Sequence, residues 1–196
     1  MSAAQDDVLY FAFGANMAAE ILERRRMTPK SREAARCEGH ELVFDLRGFN
    51  RLEPAFASIR ARDGGCVHGV LYRLRPEDFA RVTRWESDKY RTIDVAVEGA
   101  RSGRVVARAF QTRQPTEGLR PSRRYLRLLR RGAEEAQLPS EYQRWLAAQP
   151  YAYTPVLSDV LEAAWGALSQ AYRVGIARKQ LGRRLERAVR RWTGED

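Results

Sequence analysis

Residues 8–17 read VLYFAFGANM and join an apolar run to a glycine turn. Its first six residues are an apolar run of strand length, Gly14 ends the run, and the segment from Ala18 to Arg26 then has helical character. A strand that leads into a glycine turn exposes successive backbone N–H groups, which can bind an anion or a carbonyl oxygen. Spacing alone favours a structural turn, because Gly and Asn are common in turns for local reasons.

The rest of the first 150 residues alternates between strand-like and helix-like segments. Strands are predicted over residues 41–45, 55–62, 66–74, 90–98 and 105–112. The breaks between them are Gly48, Pro54, the turn-like residues 63–65 and the glycine-bounded turn 99–103, so hairpin-linked antiparallel strands are expected. Helices are predicted over residues 77–85, 121–133 and 140–148.

Composition indicates a globular protein with a terminal extension. The 196 residues are many for one core and few for two, and 44% of them are apolar and 31% charged. The net charge of +10 comes mostly from arginines in helical stretches such as residues 24–26, where we expect a solvated polar face. No apolar segment approaches the ~20 residues that span a bilayer and no export signal is visible, so we expect a cytoplasmic protein without membrane contact.

Cysteine and histidine usage gives no sign of a metal or a disulfide scaffold. Cys37 and Cys66 are expected to be reduced, and their spacing from His40 and His68 resembles no zinc ligand pair. We therefore expect neither a metal nor a cofactor. Cys66 and His68 share one face of a predicted strand, which suggests a Cys-His nucleophile, but no orienting acid accompanies them and we reject that interpretation.

Residues 10–17 resemble the Tyr-Phe-Ala-Tyr-Gly-Ser-Asn-Leu signature of the gamma-glutamylcyclotransferase family, with Phe13 in place of the second tyrosine and Ala15 in place of the serine. Two later segments are similar to strands of that family and occur in the same order: 53–59 (EPAFASI) and 67–72 (VHGVLY). Three more resemble its closing segment: 121–125, 132–133 and 138–142. The resemblance spans about residues 8–157 and then stops.

The resemblance implies an α+β fold, a mixed and partly closed β-barrel flanked by helices. It places the family-like domain at residues 1–157 and leaves residues 158–196 as a basic, amphipathic helical extension. Apolar stripes of the extension are formed by Leu161, Trp165, Leu168 and Tyr172, and by Leu181, Leu185, Val189 and Trp192. Because isolated amphipathic helices are marginal in water, we expect the extension to pack on the domain or on a second subunit of a homodimer.

The family activity that the resemblance implies is release of 5-oxoproline and a free amine from a small γ-glutamyl amide, by attack of the α-amine on its own γ-carbonyl. Glu86 matches the family's acid/base glutamate, and Asp88 is a weaker rival. The matching substrate-binding residues are Tyr10, Phe11, Ala12, Phe13, Gly14, Ala15, Asn16 and Tyr125. Backbone N–H groups of Gly14, Ala15 and Asn16 are expected to hold the substrate carboxylate or the developing oxyanion.

A second hypothesis is a catalytically silent family member that binds an anionic partner through its arginine-rich helices. Retention of Glu86 argues against it. The aromatic platform of a single-strand binder is also not evident, so we do not expect a nucleic-acid ligand.

Overall fold

The structure is a computed structural model that describes residues 6–50, 52–86 and 88–153, and the single positions 160, 163, 164 and 167. Its strands are β1 (Val8–Ala12), β2 (Ser31–Asn50), β3 (Glu53–Leu74), β4 (Tyr90–Gly99) and β5 (Gly103–Thr112). Its helices are α1 (Ala19–Arg24), α2 (Pro76–Glu86), α3 (Arg123–Glu135) and α4 (Ser140–Ala147). One 3-10 turn, Ala15–Met17, lies between β1 and α1.

The strands form a closed mixed barrel in the order β1-β3-β2-β4-β5. β1 pairs antiparallel with β3 and parallel with β5, where Tyr10 lies beside Arg108, and the parallel pairing closes the ring. The remaining neighbours pair antiparallel. The predicted α+β fold with a mixed barrel flanked by helices is confirmed, and its ring is closed where a partly closed one was expected.

The prediction of a turn at residues 63–65 is wrong, because these residues form a bulge inside β3. The register of the β2 and β3 pairing jumps there from Cys66 to Ala61. A Cβ on Gly65 would lie 2.5 Å from the carbonyl oxygen of His40, so glycine permits the close approach that the bulge requires. The chain reverses instead in the short loop between β2 and β3.

The C-terminal extension lies outside the described residues, except for positions 160, 163, 164 and 167. Both predicted apolar stripes, and their packing on the domain or on a second subunit, therefore fall outside them as well. The division of the chain at residues 157 and 158 stays a prediction. Within the described part, no helix is long and apolar enough to cross a membrane.

Helix α3 packs directly on the 3-10 turn that follows β1. Gly132 makes the close approach possible, since a Cβ there would lie 2.6 Å from the Cβ of Met17 and 2.8 Å from the backbone nitrogen of Ala18. Leu129 and Ala133 are fully buried on the same helix. Glycine inside a helix costs about 1 kcal/mol relative to alanine. The close contact with the turn explains why a glycine stands at this helical position.

The barrel and its helices enclose several tyrosines. Burial raises the pKa of five phenols above the ordinary value: Tyr10, Tyr72, Tyr90, Tyr125 and Tyr142. The ionised form of each is therefore disfavoured in the folded protein.

Substitution of Gly132 by alanine tests the close packing of α3 on the turn. We expect Gly132→Ala to lower the free energy of unfolding by about 1–3 kcal/mol, because the new methyl group overlaps Met17 and Ala18. Glu134→Ala, at an exposed position of the same helix, should change it by less than about 0.5 kcal/mol. Urea denaturation measures both. Stabilisation by Gly132→Ala, as helix propensity alone would give, would contradict the contact.

The enclosed tyrosines predict alkaline destabilisation. As pH rises above the unfolded-state phenol pKa of about 10, the unfolded chain loses protons that the folded chain keeps, so the free energy of unfolding falls. Below that pH the contribution of the tyrosines to stability is fully present. Absorbance at 295 nm and near-UV circular dichroism should show these phenols ionising only together with unfolding. Ionisation of all eight tyrosines with the fold intact would contradict this.

Candidate active site

The turn after β1 is fixed by hydrogen bonds on both of its sides. The N–H of Met17 donates to the carbonyl of Gly14 at 3.0 Å, which closes the 3-10 turn. The hydroxyl of Tyr72, a fully buried residue of β3, lies 3.1 Å from the carbonyl oxygen of Asn16 and 3.3 Å from that of Met17. The barrel wall therefore determines where the turn presents its side chains.

The amide of Asn16 joins two of the predicted site residues. Its Nδ2 lies 2.7 Å from the hydroxyl oxygen of Tyr10 and 2.9 Å from Oε1 of Glu86. Asn16 is only 6% exposed, and its Oδ1 is buried without a hydrogen-bond partner among the described residues. A buried amide oxygen without a partner is costly, and a ligand N–H group would satisfy it.

Glu86 is the last residue of α2, and its carboxylate also forms an ion pair with the guanidinium of Arg25. The two side chains are 15% and 19% exposed, so the pair is largely shielded from water. Trp85 is 60% exposed, and its ring centroid lies 5.8 Å from the guanidinium carbon of Arg25. The expectation of a solvated arginine cluster is therefore wrong for Arg25, because this side chain reaches into the site.

The first turn of α3 carries Tyr125 into the site. Ser122 caps this helix, since its Oγ accepts from the N–H of Tyr125 at 3.0 Å and donates to Oε2 of Glu53 at 2.9 Å. Glu53 begins β3, is 8% exposed and also pairs with Arg124. The buried cap ties the start of α3 to the start of β3 and so sets the position of Tyr125.

The hydroxyl of Tyr125 lies beside the signature glycine. It accepts a hydrogen bond from the N–H of Ala57 at 3.2 Å, and a Cβ added to Gly14 would lie 3.1 Å from its oxygen. Burial is the main cause of its raised pKa, while the backbone amides of Ala57 and Ala15 act in the opposite direction. Among the described residues, no acceptor for its proton lies within hydrogen-bond distance, so the O–H is free to donate to a ligand.

Tyr90 is a site residue that sequence reasoning missed. Its hydroxyl donates to the carbonyl of Ala57 at 2.8 Å, on the same residue whose N–H contacts Tyr125. Burial is the largest cause of the raised pKa values of Tyr90, Tyr10 and Tyr125, and the negative charge of Glu86 adds to each. The charge of Glu86 therefore acts on all three phenols. The position of Tyr90 four residues after Glu86 was the available signal, but its place at the start of a strand favoured a structural role.

The remaining predicted residues are either buried in the barrel or exposed beyond α2. Phe11, Ala12 and Phe13 are at most 5% exposed, and the rings of Phe11 and Phe13 have centroids 6.1 Å apart. They fix the strand that carries Tyr10, and their contact with a substrate stays a prediction. Asp88 is exposed beyond the end of α2.

The Cys66 and His68 pair has the wrong electrostatics for a nucleophile. The sulfur lies 3.8 Å from Nε2 of His68, but burial raises the pKa of the thiol and lowers that of the imidazole. Both shifts favour the neutral thiol and the neutral ring over an ion pair. Within the described ranges, no group of three or more His, Cys, Asp and Glu side chains could hold a metal ion.

Known proteins share both the sequence and the fold. The model of the AIG2-like family matches residues 66–146. A gamma-glutamyl cyclotransferase of Claviceps purpurea is 33% identical over 146 residues, which cover 68% of this chain and 65% of that protein. Another, of Clonostachys rogersoniana, is 31% identical over 121 residues, which cover 52% of this chain and 68% of that protein. The crystal structure of an uncharacterized human protein has a TM-score of 0.69 at 26% identity and covers 81% of this chain and 98% of that chain.

The family model covers part of the candidate site. The region matched by the AIG2-like model includes Glu86, Tyr90 and Tyr125. The chain spans 65% of the length of the Claviceps relative and of a second one from Aspergillus fumigatus. The chain belongs to the gamma-glutamylcyclotransferase family.

Proposed function

We propose that this chain converts a γ-glutamyl amide into 5-oxoproline and a free amine, with Glu86 as the acid and base. The observation that carries the proposal is the position of the Glu86 carboxylate, 2.9 Å from the amide of Asn16 in the signature turn. Membership of the family and the names of the fungal relatives support the same activity.

The reaction needs one proton carrier, because nucleophile and electrophile belong to the same molecule. The lone pair of the substrate α-amine forms a bond to the γ-carbonyl carbon and gives a tetrahedral intermediate. Glu86 accepts the proton that the attacking nitrogen loses, and the bond to the leaving nitrogen then breaks as Glu86 returns that proton to it. The products are a five-membered lactam and a neutral amine. Tethering supplies much of the advantage, and one positioned carboxylate serves both steps.

Asn16 and the phenols would orient the Glu86 carboxylate relative to the substrate. Asn16 orients Glu86 through Nδ2 and keeps a buried Oδ1 that can accept from the substrate amine. Tyr125 receives a backbone N–H on its oxygen, so its own proton can point toward the developing oxyanion. The backbone N–H groups of the turn would hold the substrate carboxylate.

The signature glycine offers a test of the pocket position. We expect Gly14→Val to abolish binding of a γ-glutamyl compound, because even a single Cβ would lie 3.1 Å from the Tyr125 oxygen and the two valine methyls would fill the space beyond it. Ala15→Ser leaves the main chain free to act and should be nearly silent. Calorimetric binding and 5-oxoproline release measure both variants. Normal turnover by Gly14→Val would mean that the turn is structural and the pocket lies elsewhere.

Replacement of the carboxylate tests the proton carrier. Glu86→Gln keeps the shape of the side chain and removes its basicity, so we expect binding to persist while turnover falls by about 10²–10⁴-fold. Asp88→Asn, at the exposed rival carboxylate two residues away, should retain turnover. Binding is measured by calorimetry beside 5-oxoproline release.

Two outcomes would overturn this assignment. Retained turnover in Glu86→Gln together with loss in Asp88→Asn would move the role to Asp88. If the unmodified protein released 5-oxoproline from no γ-glutamyl compound, the proposed activity would fail and only the family and fold would stand.

A further inference from the structure

The end of α1 is built to direct one arginine into the active site. Arg25 caps the helix, and Arg26 follows with φ of +53°, a conformation that L side chains rarely adopt. The N–H of Met27 donates back to the carbonyl of Leu22 at 2.9 Å, the pattern of a Schellman motif. Glycine is the usual residue at the left-handed position, so an arginine there carries strain that the surroundings must hold.

Helix α2 supplies that restraint. The guanidinium of Arg81 donates to the carbonyl of Arg26, and its Nη1 also lies 2.7 Å from Oδ1 of the fully buried Asp78. Helix α2, which ends in Glu86, is therefore hydrogen-bonded to the end of α1, which carries Arg25. The hydrogen bond from Arg81 to the end of α1 thus helps to set the relative position of Arg25 and Glu86.

The guanidinium of Arg25 has unused hydrogen-bond donors. It contacts Glu86 through Nη1, although a guanidinium carries five N–H donors in a planar fork. In the part of the chain that the structure describes, no other acceptor lies within hydrogen-bond distance of it. With the side chain 19% exposed, a largely buried cation faces the site with most of its donors unused. This arrangement matches planar, two-oxygen recognition of a carboxylate.

The structure of an amino-acid leaving group determines where its carboxylate would lie. On the proposed function, Glu86 must reach the leaving nitrogen, and Arg25 touches Glu86 directly. In an α-amino acid, one carbon separates that nitrogen from a carboxylate, so the carboxylate falls within reach of the same guanidinium.

We propose that Arg25 binds the α-carboxylate of the leaving amino acid and makes this protein selective for γ-glutamyl amino acids over γ-glutamyl amines. Substrate binding would then exchange part of the Arg25 contact with Glu86 for a contact with the substrate. Glu86 would be left free for proton transfer beside the leaving nitrogen. Arg25 is thus a specificity-determining residue for the proposed reaction.

Two substrates that differ only in that carboxylate test the proposal. In γ-glutamyl-ethylamide, a hydrogen replaces the carboxylate of the alanine in γ-glutamyl-L-alanine. We expect the unmodified protein to prefer the alanine compound by about 10–100-fold in kcat/KM, as a charged hydrogen bond in a shielded site would give. Arg25→Met should abolish the preference and Arg25→Lys should keep part of it. Arg84→Met, at an exposed position of α2, removes the same charge and should leave the preference intact.

The outcomes separate this inference from the activity on which it rests. An equal fall on both substrates in Arg25→Met would mean that Arg25 acts only through Glu86, and equal turnover by the unmodified protein would exclude carboxylate recognition. Release of 5-oxoproline from neither substrate would overturn the proposed function itself.

A measurement on the unmodified protein does not depend on the folding of a variant. L-Alanine should inhibit as a product at least about 10-fold more strongly than ethylamine, because only alanine offers the carboxylate. Equal inhibition by the two amines would overturn the proposal.

Discussion

The site depends on one buried side chain, the amide of Asn16. Its Nδ2 lies within hydrogen-bond distance of both the Tyr10 hydroxyl and the Glu86 carboxylate, and so connects the first strand of the barrel to the end of α2. Tyr10 and Glu86 are far apart in the chain. A hydrogen bond that is shielded from water is stronger than one in water, so the Asn16 amide holds the two side chains in a fixed relative position. The remaining Oδ1 of Asn16 is left for a ligand.

The barrel and its helices serve this contact by fixing the turn after β1 from both sides. Tyr72 holds the carbonyls of the turn from inside the barrel, and Gly132 lets α3 rest against the turn from outside. Gly14 keeps the space in which the Tyr125 hydroxyl lies. Larger residues at either glycine would move one wall of the site, because a packed interior transmits such displacements. The packed core thus positions the side chains of the candidate site.

The sequence predicted the parts of this arrangement that a strong local pattern encodes. The apolar run ending at Gly14 indicated strand, turn and helix, and the family resemblance proposed Glu86 and Tyr125 as site residues, which stays a prediction. The role of Arg25 was hidden because its neighbours are also arginines and a solvated helix face explains such a run. Residues 63–65 have turn composition, yet the partner strand β2 continues past them and they form a bulge within β3. Such features arise from tertiary pairing, which local propensity does not contain.

Oxygen labelling tests the proposed ring closure more directly than any variant does. With γ-glutamyl-L-alanine as substrate in ¹⁸O-labelled water, ring closure by the α-amine uses no solvent oxygen. We expect mass spectrometry to detect unlabelled 5-oxoproline and an equal amount of alanine. Free glutamate carrying ¹⁸O, formed by hydrolysis at the γ-carbonyl, would contradict this expectation.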